Sequence, residues 1–98
     1  MMTNEQYLLG KLAEEAAELA QIAIKAQQFG IDEVFGGQEN PLSNRERIEA
    51  EFNDVIGVIK MLNVEEGIDI AQDRAAQTAK MNKVDKWREY SRQLGKVE

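Results

Sequence analysis

Five acidic residues occur at a spacing that could hold a metal ion. They form two groups, Glu14-Glu15-x-x-Glu18 and, further along the chain, Glu51-x-x-Asp54. At about 100° per residue, Glu15 falls inside an apolar sector of its predicted helix, and Glu51 is flanked by aliphatic residues on both sides. An ionised carboxylate in such a place is costly unless a cation or hydrogen bonds compensate it. The pattern therefore predicts a binding site.

Three explanations of these carboxylates are open. A solvated helix face is the usual state of glutamate-rich helices, but the positions of Glu15 and Glu51 disfavour it. Buried salt bridges could account for one or two of the five carboxylates. The cations available for such pairs are Lys11, Lys25, Arg45 and Arg47. The third explanation is a hard divalent cation, Mg²⁺ or Mn²⁺, held by oxygen ligands. A di-iron carboxylate bundle is excluded, because it needs Glu-x-x-His and the chain has no histidine.

The two acidic groups have the spacing of helix neighbours. Glu15 with Glu18 and Glu51 with Asp54 are both i, i+3 pairs, so each helix would present two carboxylates on one face. If the two helices pack together, four oxygen ligands converge on one site. Mg²⁺ usually keeps several waters and takes further oxygens from substrate phosphates. A bound cation also reverses the sign of an acidic site and so lets it attract a polyphosphate.

Two lysines on the C-terminal segment suit the outer phosphates of such a substrate. Lys80 and Lys83 lie three residues apart and share a helix face. Ordinary surface charge explains these lysines about equally well.

Length and composition limit the class of protein. The 98 residues predict a single domain, 1–98, with a core so small that self-association is expected. The absence of cysteine and histidine excludes disulfides, zinc ribbons, thiol chemistry and the usual general base. A net charge of −6 argues against binding to nucleic-acid polymers. No apolar run predicts a signal peptide or a membrane span. We therefore expect a soluble, cytoplasmic, all-α protein.

Two capping boxes predict where helices begin. Thr3 and Ser43 each stand three residues before a Gln or Glu, and these boxes predict helices over 4–29 and 44–66, each followed by a glycine. Residues 30–43, with three glycines and the only proline, predict a long loop.

The C-terminal segment predicts a third helix with a basic surface. Residues 70–94 are compatible with helix, with a cap at Asp69 and a break near Met81-Asn82. Basic residues are concentrated in this segment, and nothing in the chain alternates with the period of a strand.

The two acidic motifs, taken in order, resemble the signature of the MazG-type all-α nucleoside triphosphate pyrophosphohydrolases. That superfamily includes phosphoribosyl-ATP pyrophosphohydrolases and dimeric dUTP and dCTP pyrophosphatases. The resemblance covers most of the chain, and stretches 11–15, 53–59 and 90–95 are similar to small phage-encoded members. The separation of the motifs, residues 19–50, is longer than usual in the family. The excess falls in the glycine-bearing loop and bears on substrate fit more than on metal binding.

The resemblance implies a fold and an activity. The fold would be an antiparallel bundle of three to four helices, completed by formation of a homodimer or homotetramer. The activity would be Mg²⁺-dependent hydrolysis of a nucleoside or deoxynucleoside triphosphate between the α and β phosphates. The alternatives are a phosphoribosyl-ATP type of substrate, or a helical interaction module that binds metal without catalysis.

The resemblance also implies roles for individual residues. The metal ligands would be Glu15, Glu18, Glu51 and Asp54. Glu14 would be the catalytic group that orients or deprotonates the attacking water, or would support a second ion. The substrate-binding residues would be Lys80 and Lys83 at the β and γ phosphates, with Asn82 at the base or ribose.

Overall fold

The computed structural model describes residues 1–35, 39 and 41–98 and contains three α-helices, with no β-strand among the described residues. They are α1 (Asn4–Phe29), α2 (Asn44–Glu66) and α3 (Arg74–Gln93). Both predicted capping boxes form, because Thr3 Oγ1 accepts the Gln6 N–H at 3.1 Å and Ser43 Oγ accepts the Glu46 N–H at 3.2 Å. The all-α prediction and the bounds of the first two helices are therefore confirmed. None of the described helices is long and apolar enough to cross a membrane.

The third helix differs from the prediction at its start and in its middle. Helix α3 begins at Arg74 rather than at Ile70, because Asp73 is the residue that caps it, with Oδ1 accepting the Ala76 N–H at 3.1 Å. It then continues without interruption through Met81-Asn82. The predicted break is therefore wrong, since no glycine or proline interrupts the run and most of its residues favour helix.

Helices α1 and α2 pack against each other as an antiparallel pair. At one end, Asn4 Nδ2 donates hydrogen bonds to Glu65 and Glu66, at 3.2 and 2.8 Å. At the other end, the buried Asn44 donates from Nδ2 to the carbonyl oxygen of Gly30 at 2.9 Å. The contact face of the pair therefore joins the start of α1 to the end of α2.

The hydrophobic core of the described chain is thin. Leu8 and Leu62 are its only buried apolar side chains, and both lie on the contact between α1 and α2. No Cα atom of α3 lies within 8 Å of α1 or α2. The radius of gyration is accordingly 17.2 Å, against about 13 Å for a compact domain of this length. Within the single chain, the packed unit is a helix pair with α3 projecting from it.

The segment after α1 is tied to the start of α2. Gly30 adopts a positive φ of 104°, a conformation that favours glycine, and ends the helix there. The Asn44 N–H then donates to the Glu33 carbonyl at 3.0 Å, and the Arg45 N–H donates to the Ile31 carbonyl at 2.8 Å. Residues 36–38 and 40 of the predicted loop lie outside the described residues.

Candidate metal centre

Three of the predicted metal ligands converge between α1 and α2. Each of Glu15, Glu18 and Glu51 offers a carboxylate oxygen, and these three oxygens all lie within 4.8 Å of one another. Helix α1 provides two of the side chains from successive turns, and α2 provides the third from the opposite side. The tertiary structure thus joins residues that are far apart in the sequence.

Two oxygens of this cluster are buried without a partner. Glu15 Oε2 and Glu51 Oε2 are inaccessible to solvent, and neither has a hydrogen-bond partner among the described residues. The placement of both side chains on the apolar contact face agrees with the helical pattern. A buried carboxylate oxygen without a donor or a cation is costly, so a positive charge bound at this site would stabilise it.

Two of the cationic side chains of the helix pair form ion pairs with acidic residues outside the cluster. Lys11 pairs with Glu14 at 3.0 Å, and Arg45 pairs with Asp32 at 3.1 Å. Both pairs are largely exposed to solvent. These two cations therefore do not supply the buried salt bridges that the sequence left open as an explanation of the cluster.

The proximity of the three carboxylates changes the acidity of one of them. Burial of the carboxyl is the largest cause, and the closeness of the Glu15 and Glu18 carboxylates adds to it, so that the pKa of Glu51 is raised to about 7. The cluster consequently holds a proton near neutral pH when no cation is present. A divalent cation competes for the same position, since metal ligands of this type must be deprotonated.

The donor set fits a hard cation. Oxygen ligands of an octahedral Mg²⁺ lie about 3 Å apart when adjacent and about 4 Å apart when opposite, given bonds of about 2.1 Å. Carboxylate oxygens already within 4.8 Å of one another need only a small side-chain adjustment to reach those separations. All the donors are oxygens, which is the ligand type that suits Mg²⁺ and Mn²⁺ rather than metals that prefer nitrogen or sulfur.

The other two predicted residues on the helix pair, Asp54 and Glu14, lie outside this cluster. Asp54 is exposed and lies outside the close group, one helical turn after Glu51. Side chains three residues apart on a helix are neighbours, so Asp54 lies on the same side of α2 as Glu51. Glu14 is exposed and accepts a hydrogen bond from Lys11 Nζ at 3.0 Å.

The predicted substrate-binding residues lie elsewhere in the single chain. Lys80, Asn82 and Lys83 are exposed on α3, which makes no contact with the helix pair. The two lysines line a groove along α3 together with Trp87. The structure therefore does not bring these three residues to the acidic cluster of their own chain.

A pocket beside the cluster was not predicted from the sequence. It has a volume of about 380 Å³. Its lining residues are Ile22, Lys25, Phe29, Glu33, Phe35, Asn44 and Arg47. Helical spacing could have indicated two of these residues as neighbours of the cluster, since Ile22 follows Glu18 by four residues and Arg47 precedes Glu51 by four. Phe35 lies outside any helix, so helical spacing could not predict its contribution to the pocket.

Comparisons with known proteins give no match. No protein-family model matches the chain, no curated protein matches it, and no solved structure matches it. The MazG-type resemblance therefore stays a hypothesis based on the residues of the two acidic motifs.

Proposed function

We propose that the protein hydrolyses a nucleoside or deoxynucleoside triphosphate between its α and β phosphates, in a reaction that requires Mg²⁺ or Mn²⁺. The products are the nucleoside monophosphate and pyrophosphate. The observation that carries the proposal is the convergence of Glu15, Glu18 and Glu51, with two buried oxygens that have no partner among the described residues. A solvated acidic face would not leave carboxylate oxygens inaccessible to water.

The proposed roles follow from position. Glu15, Glu18, Glu51 and Asp54 would hold the cation, with Asp54 turning inward from the edge of the site. The bound cation would neutralise charge on the phosphate oxygens and lower the pKa of water. Glu14 would accept the proton of the attacking water while Lys11, at 3.0 Å, holds the carboxylate in place. The water oxygen bonds to one of the two phosphorus atoms of the α,β linkage, the bond from that atom to the bridging oxygen breaks, and the bridging oxygen leaves with the other phosphate group.

The direct test is pyrophosphate release from a panel of ribo- and deoxyribonucleoside triphosphates. We expect release from one or a few of them with Mg²⁺, and none when EDTA replaces the metal. Release from phosphoribosyl-ATP alone would select the alternative substrate. If Mg²⁺ stabilises the fold but no substrate is hydrolysed, the protein is a metal-binding module rather than an enzyme.

The charge of the helices supports assembly into a homodimer or homotetramer. Helix α3 carries six basic and two acidic side chains, for a net charge of +4. Helices α1 and α2 together carry five basic and ten acidic side chains, for a net charge of −5. We propose that α3 packs against the acidic helix pair of a second chain and so completes a helical bundle. That arrangement would bring Lys80, Asn82 and Lys83 to the phosphates bound at the second chain's carboxylates.

The apolar side of α3 provides a test of this assembly. Trp87 is 54% exposed and Val84 is 45% exposed in the single chain. We expect Trp87→Glu to raise the dissociation constant of the oligomer at least about 30-fold, as for a central interface residue. Analytical ultracentrifugation measures the change. Thr78→Glu adds the same charge on the opposite side of α3 and should leave assembly unchanged. A wild-type protein that stays monomeric at high concentration would contradict the proposal.

A further inference from the structure

The chemical type of the side chains along the groove between α1 and α2 changes from one end to the other. The carboxylates of Glu18 and Glu51 belong to the candidate metal centre. One turn further along each helix the groove is lined by Ile22 on α1 and Arg47 on α2. Because one helical turn advances about 5.4 Å, the pocket directly adjoins the candidate metal centre.

Beyond that turn, α1 provides a lysine and then an aromatic ring, and the segment after α1 provides a second ring. Lys25 lines the pocket and has no hydrogen bond or ion pair among the described residues. Phe29, one turn beyond Lys25 on α1, and Phe35 also line the pocket, and they are 63% and 64% exposed. Large apolar side chains so exposed beside a concave site provide contact area for a ligand. The order along the groove is therefore carboxylates, cationic side chains and aromatic rings.

This order matches the parts of a metal-bound nucleotide. The carboxylates suit the cation, the cationic side chains suit the polyphosphate, and the aromatic rings suit the base. We propose that the pocket binds the base of the nucleotide by stacking on Phe29 and Phe35, with Lys25 contacting the polyphosphate. The volume of about 380 Å³ falls within the range of small-molecule sites.

Polar groups in the pocket give this site a means to discriminate between bases. The Glu33 carboxylate lines the pocket and accepts a hydrogen bond of 3.5 Å from Asn44 Nδ2. A carboxylate at this place accepts hydrogen bonds from an exocyclic amino group or a ring N–H. Glu33 and Phe35 would thereby determine which base the site accepts.

The inference rests on the proposed function, so the experiment separates the two. Isothermal titration calorimetry with Mg²⁺ compares two kinds of probe on the full chain. One kind is the set of α,β-methylene analogues of ATP, GTP, CTP and UTP, which cannot be hydrolysed at that bond. The other is inorganic tripolyphosphate, which has the phosphates but no base.

Each variant has a different expected pattern. Phe35→Ala and Phe29→Ala should each weaken binding of the preferred analogue by about tenfold and leave tripolyphosphate binding unchanged, since base stacking is lost. Lys25→Gln should weaken both probes to a similar extent. Tyr7→Ala, which removes an aromatic ring of 54% exposure at the distant start of α1, should change neither. Because both phenylalanines are largely exposed, their truncation leaves the core intact.

The outcomes that overturn the inference are distinct. If the phenylalanine variants bind the analogue as tightly as wild type does, the rings do not stack on a base. The same conclusion follows if their affinity for tripolyphosphate falls as much as their affinity for the analogue. If tripolyphosphate binds with Mg²⁺ and no analogue binds more tightly, the pocket is not the base site, although the metal and phosphate half of the proposed function stands. If neither probe binds, both proposals are wrong.

Discussion

Replacement of Glu51 by glutamine is expected to reduce pyrophosphate release by about 10³-fold while leaving the protein folded. The amide keeps the size of the side chain but cannot act as an anionic ligand. Without the cation's charge stabilisation, the free energy of the transition state rises by several kcal/mol. The substitution is made at Glu51 because this is the only residue of the close cluster that lies on α2. The measurement is kcat with Mg²⁺ on the preferred triphosphate.

The same substitution carries its own control for folding. In the metal-free protein, glutamine removes a buried charge and its repulsion from Glu15 and Glu18, so the midpoint of thermal unfolding should not fall. Glu49→Gln makes the same chemical change at an exposed position of α2 and should retain activity. An active Glu51→Gln enzyme would refute the assigned metal centre, and an inactive but unfolded one would be recognised by circular dichroism.

Magnesium is expected to stabilise the folded protein, and more strongly as the pH rises. At a free concentration about tenfold above its Kd, a ligand of the native state adds about 1.4 kcal/mol to the free energy of unfolding. For a chain of this size that corresponds to a rise of about 6 °C or more in the melting temperature. Differential scanning fluorimetry with and without Mg²⁺ measures the shift.

The pH dependence follows from the raised pKa of Glu51. In the metal-free native state this carboxyl keeps its proton up to about pH 7, whereas in the unfolded chain it loses the proton near pH 4.5. Between those values the native state binds more protons, so the free energy of unfolding of the metal-free protein falls as the pH rises through this window. After a discount for screening by the solvent at the open side of the site, we expect a fall of about 1 to 2 kcal/mol.

The composition makes this titration easy to isolate. The chain has no histidine and no cysteine, so few other groups titrate between pH 6 and 8. Glu51→Gln should flatten the pH profile of the metal-free protein and abolish the Mg²⁺ shift. A metal-free wild type whose stability is constant from pH 5 to 8 would contradict the proposed proton in the cluster.

The local features of the fold could be predicted because they depend on residues close in sequence. Capping by Thr3 and Ser43 satisfies backbone donors within one turn, and these boxes predicted the starts of α1 and α2. The third helix was predicted less well, because its cap was expected at Asp69 rather than at Asp73. The structure uses Asp73, and only the conformation of residues 67–73 decided between them.

The candidate site was predicted in part for the same reason. Helical periodicity alone put Glu15 and Glu51 on the apolar sides of their helices, and both have a buried oxygen in the structure. Periodicity gives a side chain's direction from its own helix but not its distance from a side chain on another. Asp54 was predicted to join the site as the i, i+3 partner of Glu51, but the structure leaves it exposed outside the close cluster.

What the sequence determined by itself was the all-α class, the extent of α1 and α2, and the presence of carboxylates that need a positive charge. Only the tertiary structure decided that α1 and α2 pair in antiparallel fashion, that three carboxylates meet between them, and that α3 stands apart in the single chain. It also formed the pocket at Phe35 from a segment without periodic structure. The physical reason is that helix caps and faces depend on neighbours within one or two turns, whereas these arrangements depend on contacts between residues tens of positions apart.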